Sequence, residues 1–263
     1  PGPVFLTYRD NATIDSIIND VQSTDPLFDF TADDGVKHTV WKITEYGSII
    51  DTFGAIPESY VADGHHRSAS AARLAKAKRE KNPGHDGTEN YNWFLAVLFP
   101  ESQLNVLPYN RIVKDLNGLS IEEFIEKVKA VGTLTETENK SPTKAGSVSI
   151  YLDKRWFNLE MPVASETDPT LKLDVSYLQN NILSPLLGIE DPRTSDKIDF
   201  IGGIRGTKEL EKRVDQDGFA VAFSIFPVTT KQLMDIADAG QIMPPKSTWF
   251  EPKLRSGLFI HTV

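Results

Sequence analysis

The sequence predicts an α/β or α+β fold, a mixed sheet with flanking helices, on three observations. Short β-branched and aromatic runs alternate with helical spacings along the whole 263-residue chain. Two predominantly apolar runs, Trp93 to Phe99 and Phe219 to Phe226, have the composition of strands buried on both faces. With 40% hydrophobic and 25% charged residues and no fixed-period repeat, the chain has ordinary globular composition.

The elements follow in order. Val4 to Tyr8 reads as a strand, and Ile14, Ile17, Ile18 and Val21 give residues 13–21 a helical stripe. Asp33-Asp34-Gly35 is a turn signal before a half-buried strand over 39–44. Tyr46 to Phe53 reads as a helix ending near Gly54, and Ser59 to Ala62 as a short strand. An alanine-, lysine- and arginine-rich helix then covers 67 to about 80 and stops at Pro83-Gly84. Trp93 to Phe99, closed by Pro100, is expected to be a central core strand.

In the second half, Leu119 to Val131 carries a helical stripe opened by Ser120 with glutamates in its first turn. Val148 to Leu152 and Trp156 to Met161 form an expected hairpin turned at Asp153-Lys154-Arg155. Helices follow over 178–187, 207–214 and 229–239, the last with Gly240 at its end. Strands are expected over 198–201, 219–226 and 257–263. Pro108 and Asn117-Gly118 punctuate a seam, so the expected units are residues 1–115 and 116–263.

Composition narrows the chemistry. The chain has no cysteine, which removes thiol nucleophiles, thiolate zinc and iron–sulfur clusters and leaves oxygen, nitrogen or a hard metal. Its 28 Lys+Arg against 37 Asp+Glu give a net charge of -9, which opposes binding to a phosphate backbone, so nucleic acid is not an expected partner. The longest apolar run is far below the ~20 residues of a membrane span. With no secretory signal at the start of the sequence, the expected location is the cytoplasm.

Three clusters carry candidate chemistry. In Asp63-Gly64-His65-His66-Arg67 a strand end gives way to a helix start, exposing backbone N–H groups that bind anions. Arg67 adds a planar cation for phosphate oxygens, Asp63 could hold Mg²⁺ or orient a histidine, and His65 and His66 can move protons. The structural alternative makes Asp63 a helix cap, Gly64 a turn residue and the histidines surface residues. Zinc is disfavoured, because adjacent histidines point in different directions and His85 lies in a separate loop.

The second cluster, Phe200 to Thr207, is again strand, glycine turn and helix, with Gly203 and Arg205 as candidate phosphate ligands. Its glycines lack the spacing of a Walker loop or dinucleotide fingerprint, and tight-turn geometry explains it equally well. The third, Met243 to Gly257, sets Lys246, Ser247, Thr248, Lys253 and Arg255 on a proline-stiffened loop that orders around an anion at low entropy cost. Its alternative is a solvated connection before the last strand.

At these clusters the sequence resembles domain-of-unknown-function family 1015. The matching blocks are Gly2-Pro3-Val4-Phe5-Leu6, Pro26 to Phe30, Ala62 to Arg67, Asp191-Pro192-Arg193-Thr194, Ile198 to Gly206 and Met243 to Leu258. The resemblance implies that a complete protein has an upstream segment. Ala62 to Arg67 is also similar to the nucleotide-binding loop of the ParB-like superfamily, which includes nucleotide-dependent kinases of free serine. That likeness implies a ParB/serine-kinase-like core followed by a second α/β subdomain. It makes Asp63 to Arg67 a loop holding the phosphates of ATP or ADP with Mg²⁺, and it puts a catalytic carboxylate of the kinase relatives upstream of the loop. The DNA-binding part of ParB has no counterpart here.

The function expected from these readings is phosphoryl transfer on a small metabolite such as serine or phosphoserine, in the kinase or phosphatase direction. Asp63, His65 and His66 are the expected catalytic groups, with Asp63 as metal ligand. A non-catalytic nucleotide or phosphometabolite sensor is the alternative.

Overall fold

A computed structural model of the protein describes residues 2–162 and 167–263. They form an α+β fold in two compact units, residues 1–103 with 254–263, and residues 104–253. The second unit starts ahead of the expected seam because a strand at 109–113 pairs inside its sheet.

The first unit contains β1 (Val4–Tyr8), α1 (Ala12–Gln22), β2 (Phe28–Thr31), β3 (Lys37–Val40), α2 (Gly47–Gly54), β4 (Tyr60–Asp63), α3 (His65–Glu80) and β5 (Ala96–Pro100). β1 lies in the middle of a three-stranded sheet, antiparallel to β4 and parallel to β5. Its Val4, Phe5 and Tyr8 are buried, with Phe5 tilted against Phe99 at 5.1 Å. Asn11 starts α1 by accepting from the N–H groups of Thr13 and Ile14 at 3.0 and 3.2 Å, which turns Ile14 into the core. β2 and β3 form a separate hairpin around the expected Asp33-Asp34-Gly35 turn.

Two expectations change here. Among the described residues β5 is an edge strand, paired with β1 alone, and the aromatic residues before it are open to solvent, Trp93 at 62% exposure. Trp93 and Phe94 precede the paired part of the strand, which starts at Ala96 on the outer edge of the sheet. The segment 257–263, expected as a strand, is irregular. It pairs with no sheet among the described residues, and its His261 ring instead bonds the Asn90 carbonyl through Nε2 at 3.0 Å.

The second unit contains β6 (Asn105–Leu107), β7 (Tyr109–Val113), α4 (Ile121–Lys129), β8 (Thr133–Glu136), β9 (Ser147–Leu152), β10 (Arg155–Glu160), α5 (Asp174–Leu178), β11 (Ile198–Gly202), α6 (Gly206–Gln216), β12 (Val221–Ile225), α7 (Thr230–Asp238) and β13 (Trp249–Glu251). Six strands form an antiparallel sheet in the order β11-β7-β12-β9-β10-β8. β12 sits between β7 and β9, and all five of its residues are buried, as its apolar run predicts.

The hairpin β9–β10 turns through Asp153 and Lys154 at φ 49° and 59°, the left-handed pair that a two-residue turn needs to match strand twist. Ser120 and Glu123 close a reciprocal cap on α4, as the sequence predicts. Phe124 and Val128 of α4 and Leu178 of α5 pack on one face of the sheet against Ile150, Leu159 and Phe223. Leu210 of α6 packs on the other against Ile112, Tyr151, Trp156 and Ala222. A short ribbon, β6 with β13, completes the unit.

Candidate functional site

In the first unit, β4 delivers Asp63 to the end of the sheet, and the chain must reverse there to start α3. Gly64 makes the reversal at φ 99°, a left-handed conformation that costs a side-chain-bearing residue energy. A Cβ at Gly64 would also stand 3.0 Å from Arg67 Nε, so glycine lets the guanidinium lie against the turn. The Gly64 N–H donates to Asp63 Oδ1 at 2.7 Å, while Arg67 Nη2 approaches Asp63 Oδ2 at 3.6 Å. Asp63 thus orients both the turn and the arginine.

Among the described residues no side chain caps the start of α3, the turn that also carries Arg67. His65 and His66 are exposed. Residues Arg67, Ser70, Ala71 and Leu74 recur at helical spacing and line one wall of a pocket of about 350 Å³. Tyr91, Trp93 and Phe94 form an aromatic wall, Gly2 and Val4 close the sheet side, and His261 lies at the rim with His66. The pocket therefore pairs an apolar, aromatic body with the Arg67 cation, within the size range of small-molecule sites.

The aromatic wall is held by its own loop. Glu89 accepts from Asn82 Nδ2, Asn92 Nδ2 and the N–H groups of Asp86 and Gly87 at 2.9 to 3.2 Å, and lies 2.8 Å from His85 Nδ1. Partial desolvation works against ionisation, but these backbone and imidazole donors outweigh it and hold the Glu89 carboxyl down to about 2. Asn82 and His85 also reach Tyr91 Oη, at 3.1 and 3.2 Å, which fixes the ring at the pocket.

Of the predicted site residues, Gly64 turns the chain and Arg67 and His66 line the pocket, while Asp63 and His65 are neighbours on the same turn. Arg255 belongs to this unit too but engages the β2–β3 turn, with Nη1 at 3.1 Å from Asp34 Oδ2. The Val36 N–H, together with Arg255, holds the Asp34 carboxyl below its usual range.

The remaining candidates lie in the second unit. Gly203 donates its N–H to the Pro108 carbonyl at 2.8 Å, and Arg205 sits 3.8 Å from Glu209. Ser247 is buried and donates to the Pro244 carbonyl at 2.7 Å, while Thr248 is half-buried. Lys246 Nζ lies 5.4 Å from the centre of the Tyr109 ring, and Lys253 Nζ 4.5 Å from that of Trp249. Trp249 covers Gly202 so closely that a Cβ there would meet its ring at 2.5 Å. Gly202 of the second sequence cluster is therefore in contact with Trp249 of the third.

Sequence reasoning missed Tyr91, Trp93, Phe94 and His261 as pocket residues. The dense aromatic stretch directly after a polar loop was the available signal, and it reads equally as a core strand.

Among the described residues no group of three or more His, Asp or Glu is placed to hold a metal ion. Asp63, the expected metal ligand, has its carboxylate engaged by the Gly64 N–H and by Arg67.

Fold and site define an α+β protein with a cation-edged aromatic pocket at a strand-to-helix junction. The chain belongs to the family described as Protein of unknown function (DUF1015), which matches residues 1–176. No curated protein matches the sequence. Among solved structures it is similar to a conserved hypothetical protein from Pyrococcus furiosus, at 14% identity and a TM-score of 0.41 over 96% of this chain and 90% of that one. A free serine kinase in complex with AMP is similar at 14% identity and a TM-score of 0.38, over 95% of this chain and 83% of that one. SbnI with a C-terminal truncation, from Staphylococcus aureus, gives 12% identity and 0.40 over 96% and 82%. Likeness at this level extends to neither ligand nor reaction.

Proposed function

We propose that the protein binds a small phosphate-bearing molecule in the first-unit pocket and transfers or removes its phosphoryl group. The observation that carries this reading is the convergence of Arg67 and the uncapped start of α3 on the edge of an aromatic-walled pocket of about 350 Å³. Backbone N–H groups and a guanidinium suit phosphate oxygens, and the aromatic wall suits a flat ring such as a nucleobase. Phosphoryl transfer asks a protein mainly for positioning and charge neutralisation, which these groups supply.

In this reading Arg67 holds the phosphate and Asp63 holds Arg67. His66, at the pocket edge, is the group placed to move a proton, with His65 beside it. ATP or ADP is the proposed nucleotide, with serine or phosphoserine as the metabolite. Mg²⁺, when bound, would be shared between Asp63 and the phosphates and would neutralise their charge.

A non-catalytic sensor is the second reading. The engagement of both Asp63 oxygens by Gly64 and Arg67 favours it, because a carboxylate so occupied positions its neighbours rather than taking a proton.

Calorimetric titration of the full chain with ADP or phosphoserine and Mg²⁺, alongside a phosphate-release and transfer assay, tests both. Binding that drops at least tenfold in Arg67→Ala, with turnover in the parent, supports the enzyme. Binding without turnover supports the sensor. Equal binding by the parent and Arg67→Ala refutes the site.

A further inference from the structure

The second unit holds a cation that none of these roles uses. Arg111, in β7, is 3% exposed. Its Nη1 donates to the Tyr109 carbonyl and its Nη2 to the Lys246 carbonyl at 3.1 Å, and its guanidinium lies 5.5 Å from the centre of the Phe200 ring. These partners are dipoles and a ring, and among the described residues no carboxylate pairs with it. Burial alone drags its pKa from 12.5 to about 9, so the positive charge is held at a cost.

The surroundings add positive charge. Lys246 stands over Tyr109, and its backbone is left-handed at φ 53°, a conformation that costs a residue with a side chain energy. Lys253 stands over Trp249, which itself packs on Tyr109 with ring centres 5.5 Å apart. Glu251, the acid on this ribbon, is engaged by the Trp249 Nε1 at 2.7 Å and the Lys253 N–H at 3.1 Å. Lys246 and Lys253 thus stand on the joined Tyr109 and Trp249 rings, with the Glu251 carboxylate beside Trp249 and Gly202 beneath it.

From this juxtaposition we infer that the second unit carries its own oxyanion site, with Lys246 in contact with the ligand and buried Arg111 behind it as a fixed counter-charge. The ligand group is a phosphate or a carboxylate. Lys246 is exposed and meets the ligand at the surface, while the buried Arg111 guanidinium is screened less than a surface charge and adds to the field at the anion. A ligand oxyanion supplies the negative charge that the protein leaves out.

The test uses the full chain in an Arg67→Ala background, so that phosphate binding in the first unit does not contribute. Thermal unfolding is followed against rising inorganic phosphate and, separately, succinate. We expect a concentration-dependent rise in Tm with one of the two anions, which identifies the ligand group. Adding Lys246→Ala, an exposed change that leaves the core intact, should weaken the apparent affinity at least tenfold. Arg111→Lys, which keeps the charge but loses the planar fork, should weaken it less than Arg111→Met. An equal rise with and without Lys246, or no rise with either anion, overturns the inference. Either result leaves the first-unit proposal standing, because that rests on the effect of Arg67.

Discussion

Asp174 opens α5 between the buried residues Leu173 and Val175, and both of its carboxyl oxygens accept from the Gly146 N–H, at 3.0 and 3.1 Å. Burial raises its pKa from 3.8 to about 6, and the Gly146 hydrogen bond only partly opposes the shift. Between these two values the folded protein holds a proton that the unfolded chain has released. Lower pH therefore favours the folded state through this group, and its contribution is lost as pH climbs past about 6. A shift of roughly two pH units corresponds to ~3 kcal/mol, which solvent at the partly open carboxyl reduces to about 1–2 kcal/mol. Asp174→Asn keeps an oxygen for Gly146 and removes the charge. At pH 7.5 the variant should be more stable by about that amount, a Tm rise of ~2–8 °C, and at pH 4 the two proteins should match. Urea and thermal denaturation followed by circular dichroism across pH 4 to 8 measure this. A variant that is less stable at pH 7.5, or that keeps the parent's slope between pH 4 and 7, refutes the assignment of that slope to Asp174.

Three further outcomes are expected. Phe223→Ala empties a fully buried site in β12 and should cost about 3–5 kcal/mol in urea unfolding. Trp93→Ala should cost under ~1 kcal/mol, because the side chain is exposed, yet weaken binding of an aromatic ligand in calorimetric titration. Glu89→Gln should loosen the loop that holds Tyr91 and lower ligand affinity at neutral pH. Because the Glu89 carboxyl is held low in the folded state, its stabilising effect is present above its usual pKa and fades as pH falls toward 2. The variant should therefore show a shallower loss of stability on acidification.

Local pattern alone located most of the elements. Alternation and periodicity placed β1, α1, α2, α4, the β9–β10 hairpin and β12 within a few residues, and the α4 cap and the hairpin turn were legible residue by residue. The Asp63 to Arg67 junction was legible too, because a strand end, a glycine and a run of polar residues before a helix is a local signal. What escaped was every feature that depends on distant partners. β6 and β13 are short and pair with each other from distant parts of the chain, and the irregular 257–263 segment carries the same composition as a strand.

The two apolar runs show the difference most clearly. Trp93 to Phe99 and Phe219 to Phe226 look alike in one dimension, since each is a string of side chains that water disfavours. In space the first precedes and forms a one-sided edge strand beside an open pocket, while the second lies between two strands with helices over both faces. Apolar composition sets how much burial a segment can gain, and the arrangement of neighbouring strands and helices decides whether that burial happens in the core or the side chains stay at the wall of an open pocket. The same holds for charge. The sequence displays its lysines and arginines, but only the tertiary structure sinks Arg111 among the Tyr109 and Lys246 carbonyls and the Phe200 ring, because desolvation is a property of surroundings and not of residue type.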